Sequence, residues 1–484
     1  MLSDLSAREV RDQIAAGKLS SREATQYTLE AIGRLNPELH AFNSVFAERA
    51  LKRAEAFDGK KTGGLLAGVP ISIKDNMCTE YGTTTCSSKM LEHFHAPYTA
   101  TAVKKLEAAG AVILGKTNLD EFAMGSSTEN SAFGPSKNPW NVKCVPGGSS
   151  GGAAAACAAR LGFGGLGSDT GGSIRQPASL CGIVGLKPTY GLVSRYGLVA
   201  FASSLDQIGP MTLTVEDAAI FLQVIAGHDE KDSTSWPEAI PNYLEDLDRP
   251  IKGLRIGLPK EFFDVEGMEP EVKGAVEKAI GWYKEQGATL VDISLPYTQY
   301  GIAAYYIIAP AEASSNLARY DGVHYGHRTA RPEDLIDLYA ASRGEGFGAE
   351  VKRRIMLGTY ALSAGYADKF YLQAQKVRAL IKKDFDQAFE KCDVIAGPTS
   401  PTVAFEFGSK GDNPLAMYLC DVFTVTCNIA GIPGLSLPCG VSSSGLPIGM
   451  QLLGPVFSEK TLLRTARQYE LAHEWVKRKP GVCG

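Results

Sequence analysis

The chain has 484 residues, of which 44% are hydrophobic and 21% are charged, a composition typical of a folded protein with a sizeable core and not of a disordered one. Its 49 lysines and arginines and its 53 aspartates and glutamates leave a net charge of −4. No overall positive field therefore exists to hold nucleic acid or an anionic membrane, and any role with RNA must be local or belong to a partner.

The beginning of the chain, MLSDLSAREVRDQ, carries charges throughout and lacks the apolar core of a signal or transit peptide, which predicts a cytoplasmic protein. Ser20 and Glu23 then form a capping box that opens a helical pattern, and we expect this helix to end at the Asn-Pro pair before residue 38. We interpret residues 1–60 as an N-terminal helical segment packed on the core of one large domain, residues 61–484.

A repeated order of helix, glycine and strand follows along the chain. In both cases a helical pattern ends at a glycine and a mostly apolar run comes next: 99–109, Gly110 and 111–114, then 270–286, Gly287 and 288–293. Glycine is the usual residue just after a helix. Alternation of this kind predicts an α/β fold with a central mixed β-sheet covered by helices on both faces.

The uncharged stretch 422–458 is long enough to cross a bilayer, but it contains four prolines and cannot be one unbroken helix. We expect buried strands and turns there, and no membrane contact. The ten cysteines include no C-x-x-C pair, and the histidines form no ligand cluster. This pattern predicts free buried thiols and no metal site.

Two motif matches are interpreted as coincidental. Residues 110–117, GAVILGKT, fit the phosphate-loop pattern, which makes a nucleotide-binding protein a distant alternative. A phosphate loop needs flexible residues after a strand, whereas the Ala-Val-Ile-Leu run here forms the strand itself and Lys116 follows it. Residues 147–151, GGSSG, fit the nucleophile elbow of α/β-hydrolases, but the residues before them end in Pro146 and not in an apolar strand.

Three separate segments form a more specific pattern. Lys74 ends an alternating strand over residues 69–73, which we expect to be half-buried. Ser149 lies in the loop GGSSGG, which an alanine-rich helix follows. In DTGGSIRQP, residues 169–177, two glycines precede Ser173, where we expect a helix to begin. Several backbone amides would then point into one small space that suits an oxyanion, with the Ser173 hydroxyl beside it.

The segments VPGGSSGG, residues 145–152, and GSDTGGSIRQP, residues 167–177, resemble the defining stretch of the amidase signature family. Four further segments resemble one branch of that family, the glutaminase (A-type) subunits of tRNA-dependent glutamyl/aspartyl amidotransferases: 128–141, 185–194, 312–322 and 428–434. The resemblance covers nearly the whole chain. It implies the amidase-signature fold, with the catalytic domain over residues 61–484.

The resemblance implies a Ser-cisSer-Lys triad, in which Ser173 is the nucleophile, Ser149 the bridging serine and Lys74 the base. The oxyanion would be held by backbone amides at Thr170, Gly171, Gly172 and Ser173. A lysine acts as a base only when it is neutral. Lowering its pKa from about 10.4 to about 7–8 takes roughly 4 kcal/mol of differential destabilisation of the ammonium, which burial can supply.

Glutamine presents an α-carboxylate and an α-ammonium, so a glutaminase needs one fixed cation and one fixed anion away from the nucleophile. By resemblance, Arg354 and Asp421 are the candidates, and Arg353 is the rival to Arg354. Tyr305 or its neighbour Tyr306 is expected to line the same pocket.

The resemblance further implies that ammonia from glutamine passes to a partner that converts Glu-tRNA(Gln), and often Asp-tRNA(Asn), to the amidated form. The expected partners are subunits B and C of a heterotrimer, and one partner is expected to bind ATP, Mg²⁺ and the tRNA. We expect no cofactor in this chain. The main alternative is a free-standing amidase for small or aryl amides.

Overall fold

The computed structural model describes residues 2–58, 63–411 and 413–483. Eleven strands are found there: β1 (Phe42–Val45), β2 (Pro70–Lys74), β3 (Val112–Thr117), β4 (Gly165–Asp169), β5 (Val184–Lys187), β6 (Gln207–Thr212), β7 (Arg255–Pro259), β8 (Thr289–Ile293), β9 (Val394–Pro398), β10 (Gly434–Val441) and β11 (Pro447–Leu453). They form one sheet in the order β1-β3-β2-β4-β6-β5-β10-β11-β9-β7-β8. The pairs of β2 with β3 and β4, and of β7 with β8 and β9, are parallel. The other neighbours are antiparallel, so the sheet is mixed, as predicted.

The α-helices in the described residues are α1 (Ala7–Ala15), α2 (Ser21–Leu39), α3 (Ala47–Glu55), α4 (Thr101–Ala108), α5 (Gly151–Ala158), α6 (Arg175–Cys181), α7 (Val215–Ile225), α8 (Pro270–Glu285), α9 (Gly301–Asn316), α10 (Leu335–Gly346), α11 (Ala349–Leu362), α12 (Tyr371–Phe389), α13 (Pro414–Tyr418), α14 (Val425–Ala430) and α15 (Glu459–His473). Both predicted repeats of helix, glycine and strand are confirmed. Gly110 and Gly287 follow α4 and α8 with φ values of 96° and 89°, a left-handed conformation that favours glycine.

Helices cover both faces of the sheet. On β9, Val394 and Ala396 pack into a core with residues of α7, α8 and α15, whereas Ile395 packs with residues of α9, α11 and α12. Successive side chains of a strand point to opposite faces, so each face has its own hydrophobic core. The predicted α/β class is confirmed.

The N-terminal segment packs on this core and also extends the sheet. The Asp217 carboxylate of α7 accepts hydrogen bonds from the Ala7 and Arg8 amides, both at 3.0 Å, at the start of α1. β1 then pairs antiparallel with β3 at the sheet edge, so the segment is not helical throughout. The predicted boundary between residues 60 and 61 lies outside the described residues, and this division into domains stays a prediction.

The predicted end of α2 and the predicted content of the uncharged stretch are wrong. The capping box of Ser20 and Glu23 is present, but α2 continues through Pro37 to Leu39. A proline in the last turn removes one amide donor, and the helix still closes because the His40 amide bonds the Asn36 carbonyl at 2.8 Å. The uncharged stretch begins with the helix α14 and only then forms β10 and β11. Short apolar runs fit a buried helix and a buried strand equally well.

No helix among the described residues is long and apolar enough to span a membrane. All ten cysteines are free, and eight of them are buried, as the absence of C-x-x-C spacing predicts.

Candidate active site

Lys74 is the last residue of β2, a strand whose five residues are all buried. The expectation of a half-buried strand is therefore wrong, because β2 lies inside the sheet with β3 and β4 as neighbours and both of its faces are covered. Ile71 and Ile73 point into one hydrophobic core. Lys74 consequently projects from the opposite face of the sheet.

The Lys74 amine lies among serine hydroxyls. Its Nζ is 2.8 Å from Ser149 Oγ and 2.9 Å from the Oγ atoms of Ser150 and Ser168. The side chain has no exposed surface, and this burial lowers the pKa of Lys74 to about 7, against the opposing effect of nearby carboxylates such as Asp120. A lysine in this state is half neutral near pH 7 and able to accept a proton.

Ser149 is held in a tight loop before α5. The Gly148–Ser149 peptide bond is cis, and the Ser149 carbonyl accepts a hydrogen bond from the Asp120 amide at 3.2 Å. A Cβ atom on Gly148 would lie 2.1 Å from Asp120 Oδ2. The glycine is therefore required here because the chain passes against a buried carboxylate.

The loop that carries Ser173 is held by hydrogen bonds from its backbone amides to one buried carboxylate. Asp169 accepts hydrogen bonds from the amides of Gly172 at 2.8 Å and Ile174 at 3.1 Å, and it forms a fully buried ion pair with Arg175 at 3.1 Å. Burial acts to raise the pKa of Asp169, but Arg175 outweighs it and the pKa falls to about 2. The loop carrying Ser173 is thus anchored by a carboxylate that is ionised near neutral pH.

The two serine loops meet through the backbone, since the Ser150 amide donates to the Ser173 carbonyl at 3.2 Å. The Ser173 hydroxyl makes no hydrogen bond to any described residue, and Ser173 is 9% exposed, whereas Ser149 and Lys74 are fully buried. Ser173 is therefore the member of this group that a substrate would reach. The helix expected to begin at Ser173 begins at Arg175 instead, because the Asp169 carboxylate bonds the amides ahead of it.

The predicted oxyanion amides are not equivalent. The Gly172 amide already donates to Asp169, which differs from the expectation that it faces an oxyanion. The amides of Thr170, Gly171 and Ser173 have no acceptor in the described part of the chain. Of the predicted set, these three amides are available to a substrate oxygen.

The two candidate arginines both lie on α11, but they differ in exposure. The Arg353 side chain is 46% exposed, whereas that of Arg354 is 3% exposed, and both contact Glu350. The Arg354 guanidinium lies 5.2 Å from the Tyr306 ring and 5.7 Å from the Tyr418 ring. Its Nε donates to Glu350 at 2.8 Å, and its two terminal nitrogens have no acceptor among the described residues.

Asp421 is a buried carboxylate on the same side of the sheet. Its Oδ2 accepts a hydrogen bond from Ser126 Oγ at 2.5 Å. Burial raises the pKa of Asp421 to about 7, while Ser126 and the charge of Arg354 act in the opposite direction. A cation that entered this pocket would favour the ionised carboxylate.

The two candidate tyrosines have different neighbours. Tyr306 stacks on Tyr418 with ring centroids 3.7 Å apart. Tyr305 faces the Ser173 loop, since a Cβ atom on Gly171 would lie 2.6 Å from its ring, and its hydroxyl is influenced by the charges of both Arg354 and Asp421. Tyr305 thus contacts the loop that carries Ser173 and lies close enough to Arg354 and Asp421 for their charges to act on it.

Several polar residues of the site were not singled out from the sequence. Asp169 and Arg175 lie inside the quoted glycine-serine motif, and their opposite charges were a signal for the ion pair. Ser150, Ser168 and Gln176 also lie inside the two quoted glycine-serine motifs. No sequence pattern connects the remaining newly found contacts, which come from distant segments: Asp120, Ser126, Glu350 and Tyr418. Among the described residues, no group of three or more His, Cys, Asp or Glu could hold a metal ion.

Neither of the two coincidental motif matches has the structural context that its motif requires. The phosphate-loop match forms β3 from Val112 onwards, so the expectation that Lys116 follows the strand is wrong and the strand is longer than the apolar run. Lys116 is fully buried and donates to the Met77 carbonyl at 2.9 Å and to Thr84 Oγ1 at 2.6 Å. Its amine is thus occupied within the core. Before the elbow match, Asn141 and Cys144 form only isolated bridges and not a strand.

Residues 23–463 match the family described as Amidase. The chain is 58% identical over 477 residues to the A subunit of glutamyl-tRNA(Gln) amidotransferase from Thermosynechococcus vestitus, covering 98% of this chain and 99% of the relative. It is 58% identical over 486 residues to the protein of the same name from Thermoanaerobacter pseudethanolicus, covering 100% of this chain and 99% of the relative.

Solved structures agree with these relatives. The fold resembles the A subunit of glutamyl-tRNA(Gln) amidotransferase from Thermotoga maritima with a TM-score of 0.81 and 43% identity, covering 97% of this chain and 95% of that one. It also resembles the peptide amidase of Stenotrophomonas maltophilia with a TM-score of 0.82 and 32% identity, covering 99% and 98%. Because the family match and the alignments extend over nearly all of the sequence, the chain belongs to the amidase family.

Proposed function

We propose that this chain is the glutamine-hydrolysing subunit of a tRNA-dependent amidotransferase and that it supplies ammonia for the amidation of Glu-tRNA(Gln) or Asp-tRNA(Asn). The observation that carries the chemistry is the fully buried Lys74 amine, 2.8 Å from Ser149 Oγ. The choice of branch is supported by relatives that are 58% identical and are named as A subunits of glutamyl-tRNA(Gln) amidotransferase.

In the proposed reaction, Ser173 Oγ attacks the carboxamide carbon of glutamine and passes its proton through Ser149 to neutral Lys74. The amides of Thr170 and Gly171 and that of the nucleophile bind the oxyanion that forms. Lys74 then returns the proton by the same route to the departing nitrogen, and ammonia leaves. Water attacks the acyl-enzyme carbonyl, releases glutamate and restores the serine hydroxyl.

The glutamine α-groups would bind at the two buried charges on the α11 side. The terminal nitrogens of Arg354 lack an acceptor among the described residues, which suits the bidentate binding of a carboxylate. Asp421 would receive the α-ammonium, and Tyr305 would pack between these groups and the Ser173 loop. A neutral carboxamide without α-groups would use neither charge, so Arg354 and Asp421 would determine selectivity for glutamine.

The remaining steps belong to partners in this proposal. Subunits B and C would complete a heterotrimer, and one of these partners would hold ATP, Mg²⁺ and the tRNA. A net charge of −4 suits a chain that does not hold tRNA strongly by itself. The proposal also retains the cytoplasmic location expected from the sequence.

The test compares glutamine with a neutral carboxamide in wild type, Arg354→Ala and Asp421→Asn. Each change should lower kcat/KM for glutamine by about 30-fold or more, chiefly through KM, because deleting one partner of a desolvated charge pair costs roughly 2–5 kcal/mol. The ratio of kcat/KM for the two substrates should fall accordingly, and ammonia added to the complete complex should bypass the defect.

Arg353→Ala is the matched control, since it removes the same charge from the exposed side of the same helix and should leave the ratio unchanged. A ratio that stays constant in Arg354→Ala and Asp421→Asn would reject the glutamine pocket and favour the free-standing amidase. Isolation of the native protein with two further subunits would support the complex, and isolation of an active monomer would contradict it.

A further inference from the structure

One buried glutamine side chain lies between the two halves of the site. Gln176 is fully buried in α6, three residues after Ser173. Its Oε1 accepts a hydrogen bond from the Gly148 amide at 3.0 Å, and its Nε2 donates to the Ser126 carbonyl at 3.0 Å. Both ends of the amide are therefore used, and each contacts a different loop.

The two loops have different roles in the proposed reaction. Gly148 directly precedes Ser149, the serine bonded to Lys74. Ser126 donates its hydroxyl to Asp421 at 2.5 Å, the carboxylate proposed to bind the glutamine ammonium. A chain of three hydrogen bonds thus runs from Asp421 through Ser126 and Gln176 to the backbone of the catalytic loop.

The packing around Gln176 leaves little freedom for this connection to move. A Cβ atom on Gly147 would lie 2.4 Å from Gln176 Oε1, and one on Gly148 would lie 2.7 Å from the Ser127 amide. The backbone N–H of Gln176 donates to the Gly172 carbonyl at 2.8 Å, so the residue is also tied to the Ser173 loop. In such a close-packed interior, a shift of Ser126 is expected to move Gln176 and Gly148 as well.

We propose that Gln176 is a positioning residue that sets the selectivity of the site, because it ties the ammonium-binding side, Ser126 and Asp421, to the loop that carries Ser149. This inference rests on the proposed glutaminase function. Occupation of Asp421 by an α-ammonium holds Ser126 in place, and Gln176 passes that constraint to the catalytic loop. A carboxamide without an α-ammonium leaves this connection unsupported.

The chemistry of the amide suggests a selective variant. Gln176→Glu has the same shape and keeps an acceptor for the Gly148 amide, but it places a carboxylate oxygen against the Ser126 carbonyl, where an N–H donor is needed. Gln176→Met removes both bonds. Gln176→Glu should therefore weaken the Asp421 side, whereas Gln176→Met should also loosen the Ser149 loop.

The experiment uses the full chain in the complex in which it is isolated, and it measures kcat and KM for glutamine and for a neutral carboxamide. We expect Gln176→Glu to lower the glutamine-to-carboxamide ratio of kcat/KM by at least tenfold, mainly through the KM of glutamine. Gln176→Met should lower kcat for both substrates. In an Asp421→Asn background, Gln176→Glu should change the ratio by less than threefold, because both substitutions act on one connection.

A pH series supplies a readout that simple destabilisation would not give. Burial and the carboxylates Asp120 and Asp421 act to raise the pKa of the introduced carboxyl group. The cations Lys74, Arg175 and Arg354 on the same side act to lower it, and we expect burial to dominate. Once protonated, the group again donates a hydrogen bond, so the ratio in Gln176→Glu, divided by that of wild type at the same pH, should recover as the pH falls.

Two further variants keep the test decisive. Gln223→Glu introduces the same change in α7, where Gln223 Oε1 accepts from the Tyr243 amide at 2.8 Å, and it should leave the ratio unchanged. If Gln176→Glu does not fold, Ser126→Ala breaks the same connection at its Asp421 end and should lower the ratio in the same direction.

Equal losses for both substrates, additivity with Asp421→Asn, or an unchanged ratio in a wild type that hydrolyses glutamine would overturn this inference alone. A wild-type protein that does not prefer glutamine would instead reject the proposed function.

Discussion

Lys74 is the last residue of β2, Lys116 is the last but one of the neighbouring parallel strand β3, and both are fully buried. The register pairs Lys116 with Ile73 and Lys74 with Thr117, so the two amines project from opposite faces of the sheet. Burial lowers the pKa of both lysines. What separates them is the set of groups that each amine meets.

On its face, Lys74 meets three serine hydroxyls and no carboxylate within ion-pair distance in the described part of the chain. Lys116 donates to the Met77 carbonyl and Thr84 Oγ1 and lies 3.9 Å from Asp75. The Lys74 amine, once neutral, is thus a proton acceptor that is hydrogen-bonded to Ser149, a serine of the proposed reaction. The Lys116 amine closes a polar cluster inside the fold, so burial by itself does not make a lysine a catalytic base.

The largest expected difference between the lysines is in activity. Lys74→Met should lower kcat for glutamine by about 10⁴-fold, since the proposed base is lost. Lys116→Met, measured where the protein is folded, should change kcat by less than about threefold, because its amine contacts no group of the proposed reaction. Initial rates of glutamate release check both variants.

Comparable activity losses in the two variants would contradict the different roles assigned to Lys74 and Lys116. Ser173→Ala serves as the reference for an inactive site, and mass spectrometry of a trapped acyl adduct should place it on Ser173. An adduct on Ser149 would instead support the nucleophile-elbow interpretation.

The two substitutions should change the stability of the folded protein in opposite directions. The pKa of Lys74, about 7 in the folded protein, lies below the value of about 10.4 expected after unfolding. Between these values the unfolded state binds more protons, so stability rises with pH. The destabilisation is complete below pH 7 and disappears near pH 10.4. Lys74→Met removes it and should stabilise the protein at pH 7 by about 2–3 kcal/mol, after allowing for the lost hydrogen bonds.

Lys116→Met should instead destabilise the protein by about 2–3 kcal/mol, because Asp75, Thr84 and a carbonyl oxygen lose a buried partner. Urea unfolding at several pH values measures both variants. A gain for Lys74→Met that does not shrink towards pH 10 would contradict the assigned proton linkage.

The smallest expected effect is in the shape of the pH profile. In the proposed reaction, Lys74 must be neutral and Asp421 ionised for glutamine to react, and both groups have pKa values of about 7. Activity should therefore fall as the pH drops below 7. The acid limb of log kcat/KM should approach a slope of about 2 for glutamine and about 1 for a neutral carboxamide.

Asp421→Asn should reduce the glutamine slope to about 1, while Lys116→Met should leave both limbs in place. A slope of about 1 for both substrates in wild type would show that Asp421 is already ionised in the free site.

Local patterns in the sequence determined much of the fold. The capping box at Ser20 and the glycines after α4 and α8 depend on neighbouring residues, so they could be located without the rest of the chain. The glycine-serine motifs likewise carried the resemblance on which the expected triad rests. The predictions at Pro37 and at the start of the long uncharged stretch are wrong, because neighbouring residues there permit more than one conformation.

Only the tertiary structure decided which groups meet. Strand register sent Lys74 to one face and Lys116 to the other, and the packing of α11 buried Arg354 while leaving Arg353 exposed. Asp169 turned the Gly172 amide inward, and Gln176 joined loops that lie 28 and 50 residues away in the chain. The physical reason is that hydrogen-bond partners and desolvation depend on distances between remote segments, which local sequence does not encode.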